Sequence, residues 1–263
     1  MRLVTSLVLA VMAATPSLSH EFWIEPVNFQ VEPGEALVAN FRNGQEFKGG
    51  ALSWFDRRVQ RSELRIAETV TAIKGRSGDN PALSLDIETA GLLRIVHQTT
   101  MSTITYREPE KFQDFVNHKD LDTSALLDPA YPISEGYSRF AKSLVAVGYG
   151  EGSDDRAGLE IEFVALKNPY TDDLSDGLPL QLFYKDKPRA DAQVEMFDRN
   201  PSGEVVISLL RADAKGVVTI PVTRGHSYLI DSVVLRRPDA ALTKERKLDW
   251  ESLWAALTFA VPE

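Results

Sequence analysis

The clearest pattern in the chain is the alternation of apolar and polar positions in its second half. Leu159-Glu160-Ile161-Glu162-Phe163-Val164 and Ala192-Gln193-Val194-Glu195-Met196-Phe197 carry the two-residue period of a strand with one buried face. Leu178 to Tyr184, Val205 to Leu210, Val217 to Val222 and Ser227 to Leu235 read as further strands. Turns fall at Lys185-Asp186-Lys187-Pro188, Asp213-Ala214-Lys215-Gly216 and Arg224-Gly225-His226. Trp250 to Val261 supplies a last strand. Short strands at this spacing predict an immunoglobulin- or transthyretin-like β-sandwich over residues 159–263.

The first half repeats the theme less regularly. Val27 to Val31, Ala36 to Phe41, Ala51 to Phe55, Glu68 to Ile73, Ala82 to Ile87 and Leu92 to Thr100 read as strands. Pro33-Gly34, Asn43-Gly44, Gly49-Gly50 and Ser77-Gly78-Asp79-Asn80-Pro81 punctuate them. This predicts a second sandwich over 20–147, with a helical insert at 106–147. In the insert, Pro109 opens a turn, and Phe112, Phe115, Val116 and Lys119 fall at helical spacing. Ser134 to Leu144 is a second helix or a strand entry, and periodicity does not decide between them. The insert also gathers His118, Tyr131, Tyr137, Arg139 and Lys142, as a solvated linker or a ligand-facing loop would. Gly148-Tyr149-Gly150-Glu151-Gly152-Ser153-Asp154-Asp155 marks a linker at 148–158. Its acids lack the spacing of a calcium loop and read as a turn. The class is therefore mainly all-β: two sandwich domains with a short helical insert.

Residues 1–19 carry a different signal. Arg2 precedes an apolar run from Leu3 to Ala14, and Ser17-Leu18-Ser19 fits a small-x-small cleavage site. A signal peptide cut between Ser19 and His20 is expected, with a competing cut after Ala13 or Ala14. The apolar run falls short of the about 20 residues that span a bilayer, and charges interrupt every later run. The expected product is a periplasmic protein with no transmembrane segment once the signal is removed.

Composition narrows the partners. With 43% hydrophobic and 25% charged residues, the chain can build a core. A net charge of −9 opposes nucleic acid and anionic membrane surfaces, both of which attract clustered Lys and Arg. The absence of cysteine excludes disulfides, thiolate metal sites and Cys nucleophiles. A metal must then be held by His, carboxylate, amide, Tyr, Met or backbone.

The expected cut makes His20 the first residue, and a terminal histidine offers two nitrogens at once. Its α-amine, ordinarily with a pKa of about 7.7–8.0, and its ring Nδ1 can close a chelate on Cu(II) or Ni(II). A disordered first residue is the plain alternative. Phe22 and Trp23 beside it read as anchors that dock the N-terminal strand. Glu21 and Glu25 are carboxylates of the kind that can ligate, and more often are solvated. Of the remaining histidines, His97 shares a strand face with Leu93 and Ile95, the place of a core histidine. It is also the best partner for His20, with His118 next. His118, beside Lys119 and Asp120, has a surface reading as well. His226 reads as turn chemistry.

Leu180…Tyr184, Lys187-Pro188, Val194-Glu195-Met196, Asp213…Gly216 and Gly225…Tyr228-Leu229 form one series. His20-Glu21-Phe22-Trp23-Ile24-Glu25-Pro26 precedes it and Trp254…Leu257-Thr258-Phe259 follows. Together they resemble the NikM-like family of unknown function, bacterial exported proteins grouped with the periplasmic component of cobalt and nickel transport systems. The resemblance covers essentially all of 20–263 and departs at Ala212, where the family has Thr. It implies metal handling, with a metal ion and a membrane transporter as partners.

No Gly-x-Ser-x-Gly elbow, phosphate loop or His-Glu-x-x-His is present, so binding is expected over catalysis. Asp154-Asp155 and Asp172-Asp173 sit in turn-rich segments without the apolar surroundings that raise a carboxyl pKa. Three function classes stand. The first is an exported protein for uptake or delivery of nickel, cobalt or copper. The second is a copper oxidoreductase with an N-terminal histidine brace. The third is a carbohydrate- or protein-binding module without metal.

Overall fold

The computed structural model describes residues 20–122 and 132–263, so the expected signal peptide and Tyr131 lie outside the described residues. The strands of the first half are β1 Glu21–Pro26, β2 Gln30–Val31, β3 Ala36–Gln45, β4 Lys48–Leu52, β5 Val59–Ile66, β6 Thr69–Ala72, β7 Leu83–Asp86, β8 Gly91–Thr99 and β9 Ser102–Tyr106. Helix α1, Pro109–His118, leads to β10, Ile133–Val147. The second half contains β11 Ile161–Ala165, β12 Leu178–Tyr184, β13 Lys187–Pro188, β14 Gln193–Arg199, β15 Val205–Arg211, β16 Val217–Ile220 and β17 Ser227–Arg236. Helix α2, Ala240–Arg246, and β18, Trp250–Ala260, complete it.

These elements make an all-β, sandwich-type fold of three layers. A ten-stranded sheet runs β15-β14-β17-β18-β10-β8-β5-β6, with β2 and β9 also on β10. One small sheet, β1-β3-β4 with β7 on β3, covers one face; the other, β11-β12-β13 with β16 on β12, covers the opposite face. Alternation along the shared strands divides the cores. Leu93 and Ile95 of β8 and Ala141 and Val145 of β10 pack with Phe22, Trp23 and Phe41 under the first small sheet. Leu92, Val96, Phe140 and Leu144 pack with Ile161, Phe163 and Leu180 under the second.

The expected linker connects β10 to β11 in a different sheet but does not confine each sheet to one half of the chain. β10 pairs in parallel with β18 from Glu135↔Trp250 to Ser143↔Thr258, joining the two halves of the chain inside one sheet. The 148–158 segment lies against that sheet. Asp154 is buried, takes both of its oxygens to Lys142 Nζ at 2.9 Å, and accepts the Ala165 N–H at 2.8 Å. Burial raises its carboxyl pKa. So Asp154 is not the solvated turn acid expected from a Gly-rich context, because Lys142 reaches it from β10.

The helical reading of the insert holds for α1, and Ser134 to Leu144, left open between helix and strand, is a strand. Residues 133–147 form the longest strand, and nearly every residue in it is buried. A strand covered on both faces shows no two-residue period, so periodicity alone leaves it ambiguous.

β1 docks antiparallel on β3, from Glu21↔Gly44 to Pro26↔Ala39. Trp23 is fully buried and packs edge-on against Phe47 at 5.6 Å between ring centroids. Gly49 makes room for it: a Cβ there would lie 2.8 Å from the Trp23 ring. This seating holds the start of β1, and His20 before it, over the ten-stranded sheet.

Candidate functional site

His20 and His97 line one cavity of about 260 Å³. It lies between the start of β1 and the sheet face formed by β8 and β10. Its wall includes Phe22, Phe41, Asn43, Ser53, Arg58, Thr99, Tyr137 and Arg139.

His97 is 2% exposed. Its period on β8 puts it on the same face as Leu93 and Ile95, as the alternation predicts. The rings of Phe41, Phe22 and Trp54 surround it at centroid distances of 4.1, 5.6 and 6.2 Å. Ser62 Oγ, opposite it on β5, lies 3.3 Å from Nδ1. Burial lowers the imidazole pKa to about 3, so the ring is neutral at physiological pH and keeps a nitrogen lone pair. A neutral imidazole is the form that ligates a metal.

Arg139 forms the opposite wall. It is 7% exposed, and no carboxylate among the described residues pairs with it. Its Nε is buried without a hydrogen-bond partner. The guanidinium carbon lies 4.8 Å from the Tyr137 ring and 5.5 Å from the Trp254 ring, and burial lowers its pKa. Its backbone N–H donates to Thr99 Oγ1 at 3.1 Å, which ties β10 to β8 beside His97.

A second buried constellation also touches Trp254. Lys119, just past α1, donates from Nζ to Glu195 Oε2 at 2.8 Å, Glu21 Oε1 at 3.0 Å and Asp231 Oδ2 at 3.0 Å. Its Nζ lies 4.9 Å from the Trp254 ring. Burial opposes the charge on Lys119, yet the three carboxylates outweigh it and raise the pKa further. Burial also pushes Asp231 up to about 7. Glu21, Glu195 and Asp231 have the mutual spacing of a metal-binding trio, and Lys119 sits among them as the cation. Glu21 is therefore not solvated. Nor is Glu25, which pairs with Arg42 at 2.5 Å and Arg199 at 2.6 Å.

His118 belongs to this second constellation. It is exposed, is absent from the cavity wall, and brings Nε2 to 3.2 Å from Glu195 Oε1. Glu195 raises its pKa by that contact. The structure thus brings His20 and His97 together and leaves His118 outside. His226 Nδ1 contacts Asp198 Oδ1 at 2.6 Å, beside its turn.

Two buried cations carry more weight than their sequence context suggested. Arg139 appears there only as one polar residue of the insert, although its neighbours Phe140 and Ala141 are apolar. Lys119 sits on the apolar stripe of α1 with Phe112, Phe115 and Val116, a place that calls for a buried counter-charge. Glu195 and Asp231 each interrupt an apolar strand, which is the matching signal.

No curated protein matches the chain. Residues 17–235, spanning β1 through most of β17 and so both constellations, match the model of a domain of unknown function, DUF4198, and the chain belongs to that family.

Proposed function

We propose that this is an exported, periplasmic protein that binds Cu(II), Ni(II) or Co(II) at the His20–His97 cavity, for uptake or delivery to a membrane transporter. The observation that supports this reading best is the shared cavity, since sequence separates the two histidines widely. A chain cut between Ser19 and His20 would add a free amine to the His20 ring at that cavity. Neutral His97 would supply a further nitrogen from a rigid strand. Imidazole and amine ligands suit Cu(II), Ni(II) and Co(II), with copper highest in the divalent order.

The test is calorimetric titration of the processed protein with each ion, with its mass measured to fix the first residue. His97→Ala should weaken binding about tenfold or more. Adding one residue ahead of His20 displaces the amine but leaves every side chain intact, and should weaken binding as well. Equal affinity for native and extended termini would rule out a chelating terminus. Unchanged affinity in His97→Ala would rule out His97.

A further inference from the structure

The wall of the His20–His97 cavity is poorly suited to a bare metal ion. Among the described residues it carries two guanidinium groups, Arg58 and Arg139, and no aspartate or glutamate. His97 adds no negative charge to offset them. A free dication entering such a wall meets repulsion with no carboxylate in the lining to reduce it, since Asp231, Glu21 and Glu135 act on Arg139 only from outside the cavity. The cavity is also larger than an ion requires, yet smaller than the roughly 300–1,000 Å³ of ordinary small-molecule pockets. Arg139 sharpens the point. A buried charge is normally paired, because leaving it unpaired in a low-dielectric site is costly. Yet no described carboxylate bonds this guanidinium, its Nε is an orphan donor, and two aromatic rings hold it in place.

Building on the metal-binding reading above, we propose that the cavity takes its metal as a complex with a small organic carboxylate. Arg139 binds the carboxylate of the chelator, and the nitrogens of His20 and His97 fill coordination positions that the chelator leaves open. The guanidinium fork matches a carboxylate in geometry and charge, and the carboxylate supplies the counter-charge the wall lacks. A ligand of this kind is neutral or anionic overall, so both arginines attract it. It also explains the size of the cavity, which then holds an ion together with a few non-hydrogen atoms of its chelator.

The test compares two tridentate nickel complexes that leave the same number of positions open. Ni(II)–iminodiacetate carries two carboxylates, and Ni(II)–diethylenetriamine carries none. The processed protein should bind the iminodiacetate complex about tenfold or more tightly, the scale of a charged hydrogen bond in a desolvated site. Arg139→Gln should lose that preference while still binding the diethylenetriamine complex, and His97→Ala should weaken both. The comparison on the unaltered protein needs no variant, so it stands even if Arg139→Gln fails to fold. Equal binding of the two complexes would overturn the carboxylate proposal and leave the metal site intact. Binding of neither complex would overturn this proposal, and titration with the bare ions then decides the metal reading separately. A preference that persists in Arg139→Gln would overturn the role of Arg139.

Discussion

The two buried polar constellations on this sheet face share a wall, Trp254, and differ in how their charge is balanced. On one side Lys119 has three carboxylate partners within 3.0 Å. On the other, Arg139 is similarly buried and has no described carboxylate partner. The first is closed upon itself and ties β1, α1, β14 and β17 together. The second is incomplete, with a cavity in front of it. A buried charge that the protein neutralises is evidence of architecture, whereas one left to be neutralised from outside is evidence of a ligand.

The largest effect expected from this contrast comes from Lys119→Met. It removes the ammonium and leaves Glu21, Glu195 and Asp231 buried around its place. Breaking a buried pair in this way costs about 3–5 kcal/mol. At pH 7 that should appear as a fall of about 10 °C in Tm. A variant as stable as the parent would mean that the cluster is not structural, and the contrast with Arg139 would collapse.

Acid–base titration of stability gives the next effect. Asp231 has an ordinary value of 3.8 and is pushed up to about 7 in the folded protein. Between those values the folded state holds the proton and the unfolded state does not. This contribution to stability is complete below about pH 4 and is lost as pH rises through about 7. Its slope approaches at most about 1.4 kcal/mol per pH unit. Glu195, held low by His118 and Lys119 against the opposing effect of burial, contributes the opposite slope. The informative quantity is therefore the difference between parent and Asp231→Asn. The variant should gain relative stability on going from pH 4 to 7 in chemical denaturation. A pH-independent difference would show that Asp231 does not hold that proton.

Arg139→Gln is expected to change stability by only about 1 kcal/mol. It removes two cation–π contacts and the more distant support of Glu135, but breaks no direct ion pair among the described residues, so the penalty that dominates at Lys119 is missing. A loss as large as that of Lys119→Met would show that Arg139 is architectural. The functional meaning of its unpaired state would then lapse.

The sequence disclosed some of this and concealed the rest for identifiable reasons. β14 announced itself by alternation, although Glu195 and Phe197 on its other face prove buried as well, and α1 by the spacing of Phe112, Phe115 and Val116. His97 was placed on a buried face by its strand period, and its pairing with His20 was among the possibilities the residues raised. β10 was harder, because a strand buried on both faces loses the period that distinguishes it from a buried helix, whereas β18, equally buried, reads as a strand. The parallel pairing of β10 with β18 joins residues more than a hundred positions apart, so the 148–158 segment resembled a boundary although one sheet takes strands from both sides of it. Lys119 stood on an apolar stripe, but its partners Glu195 and Asp231 are distant in sequence. No local pattern could reveal that they meet, or that nothing comparable meets Arg139.

The smallest effect, and the most discriminating for the site, belongs to His118. It was one of three histidines that the sequence offered as metal ligands, and it stands outside the cavity against Glu195. Glu195 raises its pKa, so its contribution to stability is present below the ordinary value of 6.5 and is lost as pH rises through the higher folded value. The side chain is 48% exposed, and solvent screens the pair, so His118→Gln should cost no more than a few tenths of a kcal/mol at pH 6 and less at pH 8. Its affinity for Cu(II) or Ni(II) should stay within about twofold of the parent, because a ligand lost from the coordination sphere costs about tenfold or more. A tenfold loss would place His118 in the site after all. It would require Glu195 to release the imidazole, and would join the two constellations beside Trp254 into a single metal-responsive unit.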